Sequence, residues 1–292
     1  MKGYDLLLRN AEIVTPQGRY KGNVAVQDGK IAAIFEDEDI DVQATKVLDL
    51  TGKQLLPGIW HTHCHFRDPG QTHKEDFESG TKAAAAGGIT FAIDMTNNDP
   101  APTTAETFIA KKENAEKKSY IDFGLYGGGL YPETVSELAG LGAIGIKVFN
   151  TRHVMDVYPY IPGLAVTDHG ILYEIYEETA KTGLVCAVHH DDSEWTKVLV
   201  HRDYISKGKI SADDYFDAVG KGYMYGHGMA SGLGSSLYLA KLADVRLYVL
   251  HVGIMPEFAY EMIRFAKSKG QTVYSELEAS AFLISKMHLP PI

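Results

Sequence analysis

Over the first 56 residues apolar and polar positions alternate in short runs. DLLLRNAEIV and NVAVQDGKIAAIF have the period-two pattern of β-strands, and Asp28-Gly29 falls between two such runs as a hairpin turn. TKVLDLTGKQLL repeats the pattern, with Gly52 at its bend. This strand-only opening predicts a small β-sandwich lobe over residues 1–56.

From Leu55 onward the rhythm becomes strand, then helix, repeatedly. Strands are predicted in PGIWHTHCHF, ITFAIDMT, IDFGLYGG, GIKVFN, LVCAVHH, RLYVLHVG and QTVYSELEA. Helices are predicted in THKEDFESGTKAAAAGG, TTAETFIAKKENAEKK, PETVSELAGLG, DHGILYEIYEETAKTG, the 193–242 region and PEFAYEMIRFAKSKG. Several open on Ser, Thr, Asp or Pro and stop at Gly87, Gly183 or Gly270, the residue types that cap helices. Alternating β and α with short connections implies a parallel sheet, and seven units point to an α/β fold of the TIM-type (β/α)₈ barrel class over residues 57–292. Seven strands are countable and the sequence reaches MHLPPI without an eighth, so the expectation is a barrel short of one strand.

Composition adds bounds. The 292 residues are 45% hydrophobic and 23% charged, ordinary values for a globular chain. The net charge of −10 sets no positive field for nucleic acid or an anionic membrane. Two cysteines, Cys64 and Cys186, are too few for a disulfide-built scaffold, and strand parity makes both core thiols. Charges interrupt every apolar run of the first twenty residues, so no signal peptide is visible and a cytoplasmic location is expected.

The chemistry concentrates at strand ends. In HTHCHFRDPG, residues 61–70, alternation puts His61, His63 and His65 on one face, and imidazoles two apart on a strand form a ready metal chelate. GIKVFN carries a single Lys147 inside an apolar strand. A buried ammonium there is costly, whereas a neutral amine can react with CO₂ to form an anionic carbamate; a lysine snorkelling at the strand end is the plainer alternative. LVCAVHH ends on His189 and His190, and RLYVLHVG presents His251. Barrel active sites lie at the C-terminal ends of the strands, so three strands ending alike plus one lysine read as a constellation.

LPGIWHTHCHFRDPG and AAAAGGITFAIDMTNNDPAPTT resemble the opening and second-strand motifs of the amidohydrolase superfamily, in its cyclic amidohydrolase branch of dihydroorotases, allantoinases and hydantoinases. The similarity covers nearly the whole chain. It implies two divalent metal ions, usually zinc, with His63 and His65 on the more buried one and His189 and His251 on the second. Lys147 would be the carbamylated bridge. Arg67 and Asn98 match positions that grip the carboxylate or ureido group of a small cyclic amide. The implied reaction is dihydroorotase-like ring opening by a hydroxide held between the metals; allantoinase or hydantoinase/dihydropyrimidinase activity is the alternative. The resemblance also implies a homo-oligomer.

The departures are specific. His61 stands where the family has an Asp supporting the metal site. SELEASAFL lacks the family's histidine after the seventh strand, and HGMASGLGSSLYLAKL lacks the pattern expected before the sixth. The eighth-strand Asp, which in the family binds metal and shuttles a proton, is absent from the sequence; Asp191 and Asp192 are candidate substitutes. These departures support a second reading, a non-catalytic homologue or an inactive truncated chain acting as scaffold or partner subunit, and the missing eighth strand is expected to reflect truncation. KKENAEKK (111–118) reads as a solvated helix face, and residues 151–169, with His153, Tyr158 and Tyr160, as a long loop at the catalytic rim.

Overall fold

A computed structural model describes residues 3–36, 40–151, 164–219 and 227–277. The chain divides into two compact units, Met1–Ile59 and Trp60–Ile292.

In the first unit, β1 (Tyr4–Thr15), β2 (Gly18–Gln27), β3 (Lys30–Phe35) and β4 (Ala44–Asp49) lie side by side in the order β3-β2-β1-β4, and β5 (Gln54–Leu55) also pairs with β1. The β2–β3 hairpin turns at Asp28 (φ 50°) and Gly29 (φ 72°). Both central residues are therefore left-handed, the geometry that matches the twist of the flanking strands and that Asp-Gly accommodates. The described residues form one five-stranded sheet, a single layer of the expected sandwich.

The second unit is built on seven parallel strands. They are β6 (Ile59–Cys64), β7 (Ile89–Asp94), β8 (Asp122–Gly128), β9 (Gly145–Asn150), β10 (Val185–His190), β11 (Arg246–Val249) and β12 (Val273–Ser275). Each neighbours the next in chain order, giving a sheet curled into a half-barrel of the (β/α)₈ type. Helices α1 (Phe77–Ala86), α2 (Ala105–Lys118), α3 (Val135–Gly140), α4 (His169–Thr182), α5 (Ser193–Asp203), α6 (Ala212–Val219), α7 (His227–Ala243) and α8 (Glu257–Ser268) occupy the connections. Asp76 and Thr104 close capping boxes at the starts of α1 and α2, Asp168 caps α4, and α4 ends at left-handed Gly183 (φ 72°). Alternate residues of β9 and β10, Ile146, Val148, Cys186 and Val188, pack into the main core with Leu172 and Ile175 of α4. The opposite parity, which includes Lys147, Ala187 and His189, is also buried. The fold therefore encloses both faces of these strands, as a parallel sheet requires.

Helix α2 corrects one expectation. Within KKENAEKK, Lys111 is fully buried and its Nζ lies 2.7 Å from the equally buried Asp94 carboxylate, while Lys118 reaches buried Asp68 at 2.7 Å. Phe108, Lys111 and Ala115 fall on one helical stripe, and that stripe faces inward. His153, Tyr158 and Tyr160 lie outside the described residues, as does the rest of 152–163. No helix among the described residues is long and apolar enough to cross a membrane.

Candidate functional site

The C-terminal ends of four strands converge. His63 comes from β6 and His65 follows that strand; Lys147 lies in β9, and His189 in β10. His251 sits two residues past β11 with left-handed backbone, φ 61°. The His63 ring centre lies 5.2 Å from that of His65 and 5.0 Å from that of His251, which is in turn 5.0 Å from that of His189. Burial first, then nearby positive groups that include Lys147, holds His65 and His189 well below the usual imidazole range. Both rings are therefore neutral at pH 7, the form that binds metal.

Lys147 is 1% exposed and its Nζ has no hydrogen-bond partner; it lies over the Phe149 ring, 4.2 Å from its centre. Burial pushes its pKa down to about 7. An orphaned amine beside neutral imidazoles is a site whose polar atoms lack their partner. The Nε2 atoms of His63 and His65 stand 3.3 Å apart. Two nitrogens held about 2.0–2.1 Å from one tetrahedral zinc would be about 3.4 Å apart, so the pair fits a shared divalent cation. These residues suit the metal that the amidohydrolase resemblance implies.

Glu276, just after β12, is a member of the site that the sequence reading missed. Its Oε1 accepts from His63 Nδ1 at 2.6 Å and from the His251 backbone N–H at 3.3 Å. Its Oε2 accepts from the Tyr248 hydroxyl at 2.5 Å. Burial alone would raise its pKa, but these hydrogen bonds and the two histidines outweigh it and hold the carboxyl at about 2. Its ligand atom lies within 4.8 Å of those of His63 and His251. The available signal was its place at the C-terminal end of a barrel strand, where His189 and His251 also fall. His61, by contrast, is exposed, and its Nδ1 accepts from the His63 backbone N–H at 3.3 Å.

The loop after β6 is anchored through a buried polar network. Arg67 is half-buried with left-handed backbone (φ 62°), and its charge acts on both His65 and Asp94. Asp94 accepts from the Phe66 backbone N–H at 2.7 Å. A Cβ at Gly70 (φ 98°) would run into the Asp99 carbonyl oxygen, so two loops meet there at backbone contact. Asn98 is 1% exposed, and its amide is taken on both sides: it donates to the Asp68 carbonyl at 3.0 Å and accepts from Lys111 at 2.8 Å. The neighbouring Asn97 is also buried, yet its amide oxygen has no hydrogen-bond partner.

Asp191 and Asp192 lie elsewhere. Asp191 accepts from the Thr151 hydroxyl at 3.2 Å, and Asp192 caps α5 and accepts from Ser231 at 2.7 Å. With Glu194 and His169 they line a cavity of about 240 Å³ whose walls include none of His63, His65, His189 or His251. His190, on the opposite parity from His189, is buried with its pKa lowered to about 3, chiefly by burial. Both cysteines are free, and burial pushes the Cys186 thiol up to about 12.

Residues 54–228 match the model of the amidohydrolase family. An allantoinase of Deinococcus radiodurans is 38% identical over 218 residues, covering 73% of this chain and 46% of that protein. An L-hydantoinase of Paenarthrobacter aurescens is 33% identical over 277 residues, covering 94% of this chain and 57% of its own. The solved structure of L-hydantoinase (dihydropyrimidinase) from Arthrobacter aurescens superposes with a TM-score of 0.84 at 30% identity, over 97% of this chain and 60% of that one. The chain thus spans about half to three-fifths of the length of these relatives. Its matched segment, its parallel half-barrel and its ring of strand-end histidines agree: the chain belongs to the amidohydrolase family, whose members are generally metal-dependent hydrolases.

Proposed function

We propose that this chain carries the metal-binding face of a cyclic amidohydrolase that opens a five-membered ureide ring, of the allantoin or hydantoin kind. The carrying observation is the convergence of His63, His65, His189 and His251 around an unpartnered buried Lys147. The sequence alone puts a dihydroorotase-like reaction first; the named relatives, allantoinase and L-hydantoinase, support the alternative.

Each side chain has a role that follows from its surroundings. His63 and His65 hold their Nε2 atoms 3.3 Å apart, and the His251 ring lies 5.0 Å from those of both His63 and His189. Lys147, with its pKa near 7, holds a substantial neutral fraction at physiological pH. Its free amine can add to CO₂, forming an N–C bond and releasing a proton; the resulting carbamate is an anion, whose burial would be offset by divalent ions paired with it. Divalent ions held by this set would polarise the ring carbonyl and lower the pKa of a bound water. Arg67 offers a planar fork of donors to a carboxylate or ureido oxygen. Asn97, rather than Asn98, is the amide free to accept from a ring N–H, because Asn98 is already committed to Lys111 and Asp68.

The test is metal analysis of the purified chain together with turnover of allantoin, hydantoin, dihydrouracil and dihydroorotate. Two metal equivalents and preferred opening of a five-membered ring are expected, with loss on chelation, recovery on adding zinc, and a fall of more than about 100-fold in Lys147→Ala, beyond what an outer-sphere partner contributes. Metal binding without turnover of any of the four would favour the non-catalytic homologue. Neither metal nor turnover would overturn the proposal.

A further inference from the structure

We infer that Glu276 is the positioning residue of this centre: its carboxylate fixes the ring of His63 and the backbone of His251, supplying from the seventh strand the support that position 61 lacks. The inference rests on reading His63 and His251 as metal-binding side chains.

The geometry is that of an orienting group. Glu276 N donates to the Val249 carbonyl at 3.3 Å, which extends the β11–β12 pairing by one residue and fixes where its side chain starts. From there the carboxylate joins His63 on β6, Tyr248 on β11 and the His251 backbone. The Tyr248 hydroxyl is itself 3.0 Å from Thr62 Oγ1, so the network returns to the strand that carries His63. With the carboxylate as acceptor in this 2.6 Å contact, the His63 proton lies on Nδ1. Its Nε2 lone pair is then the one that faces His65 Nε2, 3.3 Å away. The same carboxylate also accepts the N–H of His251, a non-glycine residue held at φ 61°, where the backbone is disfavoured without such support.

A carboxylate this close to two imidazoles could instead be a ligand. The 2.6 Å contact to His63 Nδ1 argues against that. Two atoms bound to one small cation at ordinary lengths and angles stand about 2.9–3.4 Å apart, whereas about 2.6–2.8 Å is a charge-assisted hydrogen bond. His61 offers no equivalent: it is an imidazole, exposed, and engaged with backbone.

The experiment uses the full 292-residue chain, unaltered and as Glu276→Gln and Tyr248→Phe. Zinc affinity is read by competition with a chromophoric chelator, the cobalt-substituted protein by its visible absorption, and the His63 tautomer by ¹⁵N NMR of the metal-free chain. The expected result is a 10–100-fold weaker zinc affinity in Glu276→Gln with the number of ions at saturation unchanged, altered cobalt bands, and a smaller loss in Tyr248→Phe. The unaltered chain is expected to show His63 protonated at Nδ1. Loss of a whole ion in Glu276→Gln would make Glu276 a ligand, and unchanged affinity and spectrum would make it a bystander; either overturns the inference. If Glu276→Gln does not fold, the tautomer of the unaltered chain decides, with Nε2–H overturning it. Should the unaltered chain bind neither zinc nor cobalt, the metal reading fails, and the tautomer still reports on Glu276 separately.

Discussion

At the scale of single residues, two adjacent asparagines show how burial divides labour. Asn98 and Asn97 are both hidden from solvent, but Asn98 spends its amide on Lys111 and the Asp68 carbonyl while the Asn97 oxygen is left without a partner. Removing a buried group whose partners stay behind costs about 1–3 kcal/mol, because those partners lose both the bond and their access to water. Asn98→Ala should therefore lower the free energy of unfolding, read by urea titration, by that amount. Asn97→Ala leaves no new orphan and should stay within about 1 kcal/mol of the unaltered chain, while KM for the ring substrate rises about tenfold, the equivalent of one hydrogen bond. Equal stability losses in the two variants, or a KM effect confined to Asn98→Ala, would reverse the assignment. From the sequence the pair is indistinguishable, and the reading there chose Asn98. Which amide is occupied depends on Lys111, thirteen residues away, and no local pattern encodes that contact.

At the scale of elements, what was legible is what depends on local phase. GIKVFN and VCAVHH are mostly apolar runs and form β9 and β10 with Lys147 and His189 on a shared parity, as alternation requires. Charge on α2 was not legible in the same way. KKENAEKK counts as solvated if its charges are tallied, yet Lys111 shares a stripe with Phe108 and Ala115 and is drawn inside to Asp94. Glu276 was missed because the search was for a histidine, although the strand leading to it was recognised. The Asp94–Lys111 pair also ties α2 to the end of β7 and, through the Phe66 N–H, to the loop bearing His65 and Arg67. Removing one partner of a fully buried pair leaves an uncompensated charge, a loss of about 3–5 kcal/mol. Lys111→Met is expected to lose that much in equilibrium urea unfolding. A loss below about 1 kcal/mol would mean that Asp94 finds another partner and that α2 does not hold the loop.

At the scale of the whole molecule, the two units differ in how much core they own. The half-barrel buries both faces of its central strands, and its main cluster joins residues from β6 through β12 with their helices. The first unit has a cluster of Ala11, Ile13 and Val24, edged by Leu8, Tyr20, Leu50 and Leu55. Its outer strands leave apolar side chains open to solvent, with Ile31 70%, Ile34 50% and Val47 51% exposed. A sheet is stable when at least one face is covered by a second layer, and a chain of about 60 residues is marginal even with a full core. With Leu7 and Ala25 the described residues of this unit bury five apolar side chains, too few to offset the backbone entropy of ordering five strands, which is about 1–2 kcal/mol per residue. The Asp28-Gly29 turn favours its hairpin locally but adds no buried area. Residues 1–59 produced alone are therefore expected to lack a cooperative thermal transition by circular dichroism and to show narrow amide dispersion by NMR. A sharp melt of that fragment would show that the five-stranded sheet carries its own stability, and the burial argument for this unit would have to be abandoned.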